Sequence, residues 1–217
     1  LLIVDNTFMT PYLQRPLELG ADITVQSATK FLAGHADLLA GVAATNDSDL
    51  AVQLHRGQLV SGALLPPIDS YRLLQDVKTL ALRLERQQQN ARELIDFLSA
   101  RPEVEQIFYP GSSSDAQAEI QSRQARGIGS VFSLLLAEGG DAQAFARALP
   151  IFVNAVSLGG IESLVSLPAH TTHGAYAQEH RDEFGVDDRL VRLAIGIEDV
   201  QDLTAALEIG LKAAFAG

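Results

Sequence analysis

Residues 1–30 read LLIVDNTFMTPYLQRPLELGADITVQSATK, which repeats an apolar run followed by polar residues. The run at residues 1–4 is continuously apolar and is typical of a strand that is buried on both faces. Residues 11–19 predict a short helix, and residues 22–25 predict a second strand that leads toward Lys30. The order strand, helix, strand predicts an α/β fold, in which ligands bind beyond the C-terminal ends of the strands.

The predicted first strand begins abruptly. No turn, helix cap or methionine precedes residues 1–4. A parallel strand needs neighbours on both sides and cover on both faces. We therefore expect further sequence upstream of residue 1.

The rest of the chain continues the α/β pattern. Asp47 is predicted to cap a helix that runs toward Gly57, and Asp69 to cap a long helix that Pro102 ends. Charged residues along the long helix, residues 83–92, predict a solvated face. Further strands are predicted at residues 38–44, 107–109, 130–136, 151–156 and 190–195, and further helices at residues 141–149 and 200–215. Those beyond the long helix are expected to form a smaller, antiparallel unit, and residues 111–115 a surface loop.

The composition excludes several classes of function. The formal net charge of −11 argues against nucleic acid as a partner, because proteins that bind phosphate backbones concentrate lysine and arginine. The absence of cysteine excludes disulfides and thiolate metal sites. No apolar stretch approaches the roughly 18 residues that span a bilayer, and the first residues lack the basic n-region expected of a secretion signal. A cytoplasmic protein without a membrane partner is the expectation.

Lys30 and Asp5 are the first candidates for chemistry. Lys30 follows the hydroxyl residues Ser27 and Thr29 just beyond a predicted strand, where a lysine could form a Schiff base with an aldehyde. An ordinary surface lysine explains the same pattern equally well. Asp5, at the end of the neighbouring strand, could pair with a protonated pyridine nitrogen, although a helix cap is the commoner role for such an aspartate.

Three ordered blocks of sequence resemble the Cys/Met metabolism enzymes, a family that depends on pyridoxal 5′-phosphate (PLP). The first block is residues 4–8 (VDNTF), 11–16 (PYLQRP), 20–22 (GAD), 27–32 (SATKFL) and 34–35 (GH). The second is residues 157–160 (SLGG), 162–164 (ESL), 168–169 (PA) and 172–173 (TH), and the third is residues 192–193 (RL) and 196–199 (GIED). Blocks that span nearly the whole chain are far more specific than one short motif.

The resemblance implies roles on the cofactor side of the site. Lys30 would bind the cofactor aldehyde covalently and move protons at the substrate Cα. Asp5 would be the partner of the ring nitrogen. Ser27 and Thr29 would bind the cofactor phosphate.

The resemblance also implies roles on the substrate side. Arg192 would grip the substrate α-carboxylate with its planar fork, and Ser157 would assist. Without the family, a structural salt bridge would be the commoner explanation for Arg192, and Ser157 would be an ordinary turn residue. Val156 stands where many cystathionine enzymes of the family carry glutamate, so the exact substrate stays open. Residues 75–76 (QD) replace a usual Arg-Gly pair.

The implied architecture is the aspartate-aminotransferase type, fold type I. Residues 1–76 would be the remainder of the large PLP-binding domain, and residues 77–217 the smaller C-terminal domain with the long connecting helix. Family members assemble as dimers of dimers, which implies a homo-oligomer. They also carry an upstream phosphate loop, a tyrosine that stacks on the cofactor and an N-terminal arm, and this sequence contains no counterpart of them.

The predicted activity is that of a PLP-dependent carbon–sulfur lyase of transsulfuration, which acts on a sulfur amino acid by β- or γ-elimination. Cystathionine γ-synthase, which performs γ-replacement on an O-acylhomoserine, is the first alternative. A catalytically incomplete, non-enzymatic module is the second. A metal hydrolase that uses His170 and His173 is a remote third, because no further ligand is evident and no metal site is predicted.

Overall fold

The computed structural model describes residues 1–110 and 116–216. The loop predicted at residues 111–115 lies outside the described residues. The described chain contains both helices and strands, and its strands form two sheets. The predicted α/β class is therefore confirmed.

The N-terminal sheet has the order β1-β2-β3. Its strands are β1 (Ile3–Asp5), β2 (Ile23–Ser27) and β3 (Gly41–Ala44). β2 runs parallel to β1 and antiparallel to β3. The single helix predicted between β1 and β2 is instead a short helix, α1 (Thr10–Leu13), and a 3-10 turn (Pro16–Leu19), since Pro16 has no N–H to continue a helix.

Helix α2 (Ser48–Ser61) begins at the predicted cap, because the Asp47 carboxylate accepts hydrogen bonds from the N–H groups of Asp49 and Leu50. The helix runs past Gly57 and ends at Gly62, whose φ is +70°. The predicted end at Gly57 is wrong. A glycine inside a helix costs only about 1 kcal/mol, which the remaining turns tolerate.

The long predicted helix is two helices. α3 (Pro67–Asp76) and α4 (Leu80–Ser99) are separated by a 3-10 turn (Val77–Thr79). Asp69 lies inside the first turn of α3, which Pro66 precedes, so the prediction of Asp69 as the cap is wrong. Proline has a fixed φ and no donor, which makes the first position of a helix its preferred place.

The C-terminal sheet has the order β4-β5-β8-β7-β6. Its strands are β4 (Val104–Phe108), β5 (Val131–Leu136), β6 (Val153–Asn154), β7 (Leu164–Ser166) and β8 (Leu190–Ala194). β6 and β7 are parallel and the other pairs antiparallel, so the predicted antiparallel unit is only partly correct. The accompanying helices are α5 (Ala116–Gln124), α6 (Ala142–Ala148), α7 (Gln178–Glu183) and α8 (Val200–Ala214).

Two apolar clusters hold the described fold together. The larger cluster packs α4, α6 and α8 on one face of the C-terminal sheet, through residues such as Leu94, Phe145 and Leu207. The smaller cluster joins the N-terminal part to the C-terminal part and includes Phe31 and Leu158. Each such side chain stabilises the fold by roughly 1.5–3 kcal/mol when it is fully buried. The smaller cluster therefore fixes the loop that carries Lys30 against the C-terminal sheet.

No helix of the described chain combines the length and the apolar character that crossing a membrane requires.

Candidate active site

Lys30 lies in a compact turn directly after β2. The Lys30 N–H donates to the Ser27 carbonyl at 3.1 Å, and the Gly34 N–H donates to the Lys30 carbonyl at 2.8 Å. Ala28 and Phe31, on either side, are almost completely buried. These anchors fix the backbone of Lys30, whose side chain is half-buried.

The Lys30 side chain reaches the C-terminal part of the chain. Its Nζ donates a hydrogen bond to Ser157 Oγ at 2.9 Å. Thr29, Lys30 and Ser157 line a cavity of about 870 Å³. Small-molecule sites have volumes of this order.

Arg192 meets the same serine from β8. It lies opposite Ser133 of β5 and Ser166 of β7, in the interior of the sheet. Its Nη2 donates to the Ser157 carbonyl oxygen at 3.0 Å. Burial lowers the pKa of Arg192 from its usual value, yet a guanidinium remains a cation at neutral pH. Ser157 thus contacts Lys30 through its hydroxyl and Arg192 through its backbone.

Asp5 and Ser27 are linked through Thr7. The Asp5 carboxylate accepts a hydrogen bond from the Thr7 N–H at 2.9 Å, and Thr7 Oγ1 accepts one from the Ser27 N–H at 2.8 Å. Hydrogen bonds from the Thr7 side chain and backbone lower the pKa of Asp5, so the carboxylate is ionised at neutral pH. Asp5 caps no helix of the described chain. It lines, with Ser27, a second cavity of about 690 Å³.

The predicted site residues therefore form two groups. Lys30 and Ser157 line one cavity and are joined by a hydrogen bond, and Arg192 is linked to them through the Ser157 carbonyl. Asp5 and Ser27 line the other. Thr29 faces the Lys30 cavity, but its Oγ1 also accepts a hydrogen bond from the Ala40 N–H at 3.0 Å, which gives it a structural role as well.

Gly159 is a residue of this site to which the sequence assigned no individual role. Its φ is +84°, and a Cβ added to it would lie 2.6 Å from the Phe31 nitrogen and 2.9 Å from the Lys30 carbonyl carbon. Only glycine allows the backbone both this conformation and this close approach. The second motif thus contacts the lysine turn directly. The Ile161 N–H adds a hydrogen bond of 2.9 Å to the Gly34 carbonyl.

Arg83 is the residue that sequence reasoning placed wrongly. The solvated face predicted for residues 83–92 includes Glu85 and Arg92, which are exposed, but Arg83 is only 5 % exposed. Helical spacing could have indicated the burial of Arg83, because positions 83, 87 and 90 lie beside the buried Leu84 and Ala91 on the helix. A charge on the apolar side of a helix predicts a buried partner rather than solvent.

Asp76, the second residue of the replaced pair, contacts His35 and Arg83. Asp76 Oδ1 lies 3.2 Å from His35 Nδ1, and the Asp76 carbonyl accepts a hydrogen bond from Arg83 at 3.0 Å. His35 Nδ1 also lies 2.7 Å from the Ala33 carbonyl. His35 therefore has a structural hydrogen-bonding role.

The histidines considered for a metal have other contacts. His170 Nε2 lies 3.2 Å from Gln143 Nε2, and the His173 ring packs near Tyr176. Throughout residues 1–110 and 116–216, no three metal-binding side chains converge.

The residues present fit pyridoxal phosphate by their chemistry. A lysine amine opens onto a cavity of suitable size, and a hydrogen-bonded serine and a half-buried guanidinium accompany it. A carboxylate that stays ionised, Asp5, suits a protonated ring nitrogen.

The model of the Cys/Met metabolism PLP-dependent enzyme family matches residues 1–212. The chain is 45% identical over 203 residues to a cystathionine gamma-lyase of Bacillus subtilis, covering 94% of this chain and 54% of that protein. It is 46% identical over 216 residues to an L-methionine gamma-lyase of Pseudomonas deceptionensis, covering 98% and 54%. The chain thus spans about half the length of these curated relatives.

Solved structures of cystathionine enzymes are also similar to this chain. Cystathionine gamma-lyase from Lactobacillus plantarum, complexed with L-serine, superposes with a TM-score of 0.94 at 39% identity. Cystathionine gamma synthase from Xanthomonas oryzae pv. oryzae, in complex with cystathionine, superposes with a TM-score of 0.93 at 38% identity. Each match covers 99% of this chain and 56% of the solved chain.

Proposed function

The chain belongs to the Cys/Met metabolism PLP-dependent enzyme family, and from this premise we propose that its protein is a carbon–sulfur lyase of the cystathionine β- or γ-lyase type. Its fold is fold type I, as in the lyases that it superposes on. One observation carries the proposal: the Lys30 amine and the Arg192 guanidinium both donate hydrogen bonds to Ser157. In the proposal, Lys30 is the proton carrier and Arg192 is the carboxylate-binding group beside it.

Bound pyridoxal phosphate supplies an aldehyde for amine condensation and a ring that accepts the electron pair of a carbon beside the amine. Lys30 Nζ is the group of this chain that would bond to the aldehyde. Ser27 and Thr29 are the proposed phosphate ligands. Asp5 is the proposed partner of the ring nitrogen, and its ionised state supports that role.

Lys30 is proposed to move the proton at the substrate Cα. The amine must be neutral to accept this proton, and a hydrogen bond to Ser157 Oγ directs the side chain into the cavity. Because the Lys30 backbone is held between buried neighbours, little freedom is lost when the amine takes its working position.

Arg192 is proposed to bind the substrate α-carboxylate. One nitrogen, Nη2, is directed by the Ser157 carbonyl, and the guanidinium presents further N–H groups for a bidentate contact. Partial burial strengthens the attraction of this cation for an anion, since less water screens the pair. The substrate class is therefore an amino acid with a free carboxylate.

Lyase activity is preferred to synthesis because the curated relatives compared above are lyases. A cystathionine gamma synthase is also among the structural neighbours, and its activity is the alternative that a replacement assay tests. The proposal includes a homo-oligomer of the dimer-of-dimers type, a cytoplasmic location, and a domain boundary between residues 76 and 77. The end of α3 at Asp76 supports that boundary.

The cofactor role of Lys30 can be tested directly. The protein, expressed with any further sequence that its gene encodes, is incubated with pyridoxal phosphate, reduced with borohydride, digested and mapped by mass spectrometry. We expect a yellow protein and a stable adduct on Lys30, but none on the exposed Lys78 and Lys212. A colourless protein, or an adduct spread evenly over the three lysines, would contradict the proposal.

The reaction can be tested with three substrates side by side. Cystathionine, methionine and an O-acylhomoserine with a thiol are supplied, and keto acid, ammonia and thiol are measured. Elimination breaks the C–S bond and yields thiol, ammonia and keto acid in equal amounts, whereas replacement yields a new thioether without ammonia. Replacement alone would favour the synthase, and no turnover by yellow protein would exclude both.

A further inference from the structure

Two buried polar side chains on α4 contact the two loops of the site. Arg83 is 5 % exposed and Gln87 is fully buried. They lie four positions apart, so they stand one above the other on the same face of the helix. Buried charged and amide groups are usually hydrogen-bonded, as the Arg83 guanidinium and Gln87 Nε2 are, whereas Gln87 Oε1 has no hydrogen-bond partner among the described residues.

Arg83 holds the lysine turn. Its Nη1 donates to the Phe31 carbonyl at 2.8 Å, and its Nη2 donates to the Leu32 carbonyl at 3.2 Å. Gly34 packs against the guanidinium so closely that any side chain at that position would collide with it. The guanidinium therefore fixes the backbone immediately after Lys30.

Gln87 holds the serine loop. Its Nε2 donates to the Gly160 carbonyl at 2.7 Å. Gly160 follows Gly159, the residue that touches the Lys30–Phe31 peptide, and lies three positions after Ser157. One turn of a rigid helix thus separates the anchor of one loop from the anchor of the other.

We propose that Arg83 and Gln87 are a pair of positioning residues that align Lys30 Nζ with Ser157 Oγ. The inference rests on the proposed function in so far as this alignment serves catalysis. Neither side chain touches the cavity that Lys30 lines, so both act through the loops that they hold. An α-helix suits this task because its hydrogen-bonded backbone keeps the two anchors at a fixed separation.

A purely structural role would predict a different result. If the pair only stabilised the fold, its loss would lower the melting temperature and leave the Lys30 amine in the same surroundings. If the pair positions Lys30, the amine becomes more accessible and more mobile in a protein that is still folded. The reactivity of the amine distinguishes the two cases.

The experiment uses the natural protein freed of cofactor, with Gln87→Leu, Arg83→Met and Arg83→Lys variants. Each is labelled briefly with an amine-acylating reagent, and the labelling of Lys30 relative to Lys212 is measured by mass spectrometry. We expect Gln87→Leu and Arg83→Met to raise this ratio roughly threefold or more, and Arg83→Lys to give a smaller increase because it keeps one donor. Reloaded with pyridoxal phosphate, the first two should lose roughly tenfold to a hundredfold in turnover.

Matched controls lie on the same helix. Gln89→Leu and Arg92→Met make the same chemical changes at exposed positions and should leave the ratio unchanged. Folding of every variant is checked by circular dichroism. If Arg83→Met does not fold, Gln87→Leu decides, since it removes one neutral hydrogen bond without burying a charge.

The outcomes separate the two proposals. A Lys30 ratio that stays at the wild-type value in folded Gln87→Leu and Arg83→Lys overturns the positioning role, even if the wild-type protein is yellow and active. A raised ratio supports the positioning role even if the wild-type protein binds no pyridoxal phosphate, in which case the proposed function alone fails.

Discussion

Lys30 Nζ and Ser157 Oγ lie 2.9 Å apart although 127 positions of sequence separate the two residues. Lys30 belongs to the turn after β2, and Ser157 to the loop between β6 and β7. Neither sits in a regular element that would hold it independently. Their contact depends on the smaller apolar cluster, in which Phe31 and Leu158, the residues that follow each of them, are both buried.

Ser157→Ala is expected to release the Lys30 amine. The substitution removes one side-chain hydrogen bond, which contributes roughly 0.5–1.5 kcal/mol, and leaves the backbone contact with Arg192 in place. Turnover should fall by about tenfold or more while KM changes little. Steady-state kinetics measures both quantities.

The control for this prediction is Ser122→Ala, because Ser122 is exposed on α5 and bonds only locally, to the Glu119 carbonyl. A Ser157→Ala enzyme with unaltered turnover would show that the hydrogen bond does not direct the amine.

Gly159→Ala is expected to separate the two loops. A Cβ at this position would meet the Phe31 nitrogen at 2.6 Å, and φ is +84°, so backbone must move to admit it. The strain alone should destabilise the protein by about 1–3 kcal/mol. Urea unfolding gives the loss of stability, and the rate of cofactor reduction at Lys30 gives the effect on the site.

Gly185→Ala is the matched substitution, since Gly185 also has a left-handed φ, +67°, but nothing lies within 4 Å of an added Cβ. Both variants carry the conformational cost, and only Gly159→Ala carries the steric one. Equal losses of stability in the two would mean that the close approach to Phe31 is not important.

Local patterns predicted the elements whose signals are local. The Asp47 cap and the strand around Val191 follow from adjacent residues, and the structure has both. The ends of α2 and α3 were predicted incorrectly because Gly57 and Asp69 are compatible with either a helix interior or a helix end. β7 was not predicted.

The site was harder to predict than the elements. Lys30 and Asp5 were noticed because each follows a strand, but Ser157 and Arg192 were recognised only through the family resemblance. Arg83 was predicted to face solvent because charged side chains on a helix usually do so. Its burial depends on carbonyl groups of the lysine turn about 50 positions away, and no local window contains them.

Thr7→Val is expected to raise the pKa of Asp5 toward its usual value. The Thr7 side chain and N–H both stabilise the ionised carboxylate, and valine keeps the shape of threonine without the hydroxyl. A lowered folded-state pKa contributes stability above the unfolded pKa and loses it as pH falls through the folded value. The difference in stability between wild type and variant should therefore shrink in acid, below about pH 4.

Carbon-detected NMR titration of the Asp5 carboxyl measures the change in its pKa. Urea unfolding at neutral and acidic pH measures how the stability difference between wild type and variant depends on pH. Thr7→Ser keeps the hydroxyl and should leave the titration of Asp5 unchanged. In an Asp5→Asn background, Thr7→Val should still lower the stability of the protein, but by an amount that does not depend on pH. That remaining loss comes from the hydrogen bond to Ser27. An identical Asp5 midpoint in wild type and Thr7→Val would refute the prediction.

Arg192→Lys is expected to raise KM for the amino acid with a much smaller effect on turnover. Lysine keeps the charge but cannot form the bidentate contact. The lost interaction should weaken binding of the carboxylate roughly tenfold to hundredfold. Arg192→Met should weaken binding further. Its folding should survive, because replacing a half-buried cation by an apolar chain of similar length removes a desolvation cost.

Methyl esters of the substrates give the sharper test, because they lack the anion that Arg192 is proposed to bind. The wild-type enzyme should prefer the free acid, and both variants should lose most of that preference. Arg189→Lys is the control, since Arg189 directly precedes β8 and pairs with Asp187 and Glu105 instead of facing the site. If the variants at residue 192 discriminate acid from ester as well as wild type does, another group binds the carboxylate and Arg192 serves only to hold the Ser157 loop.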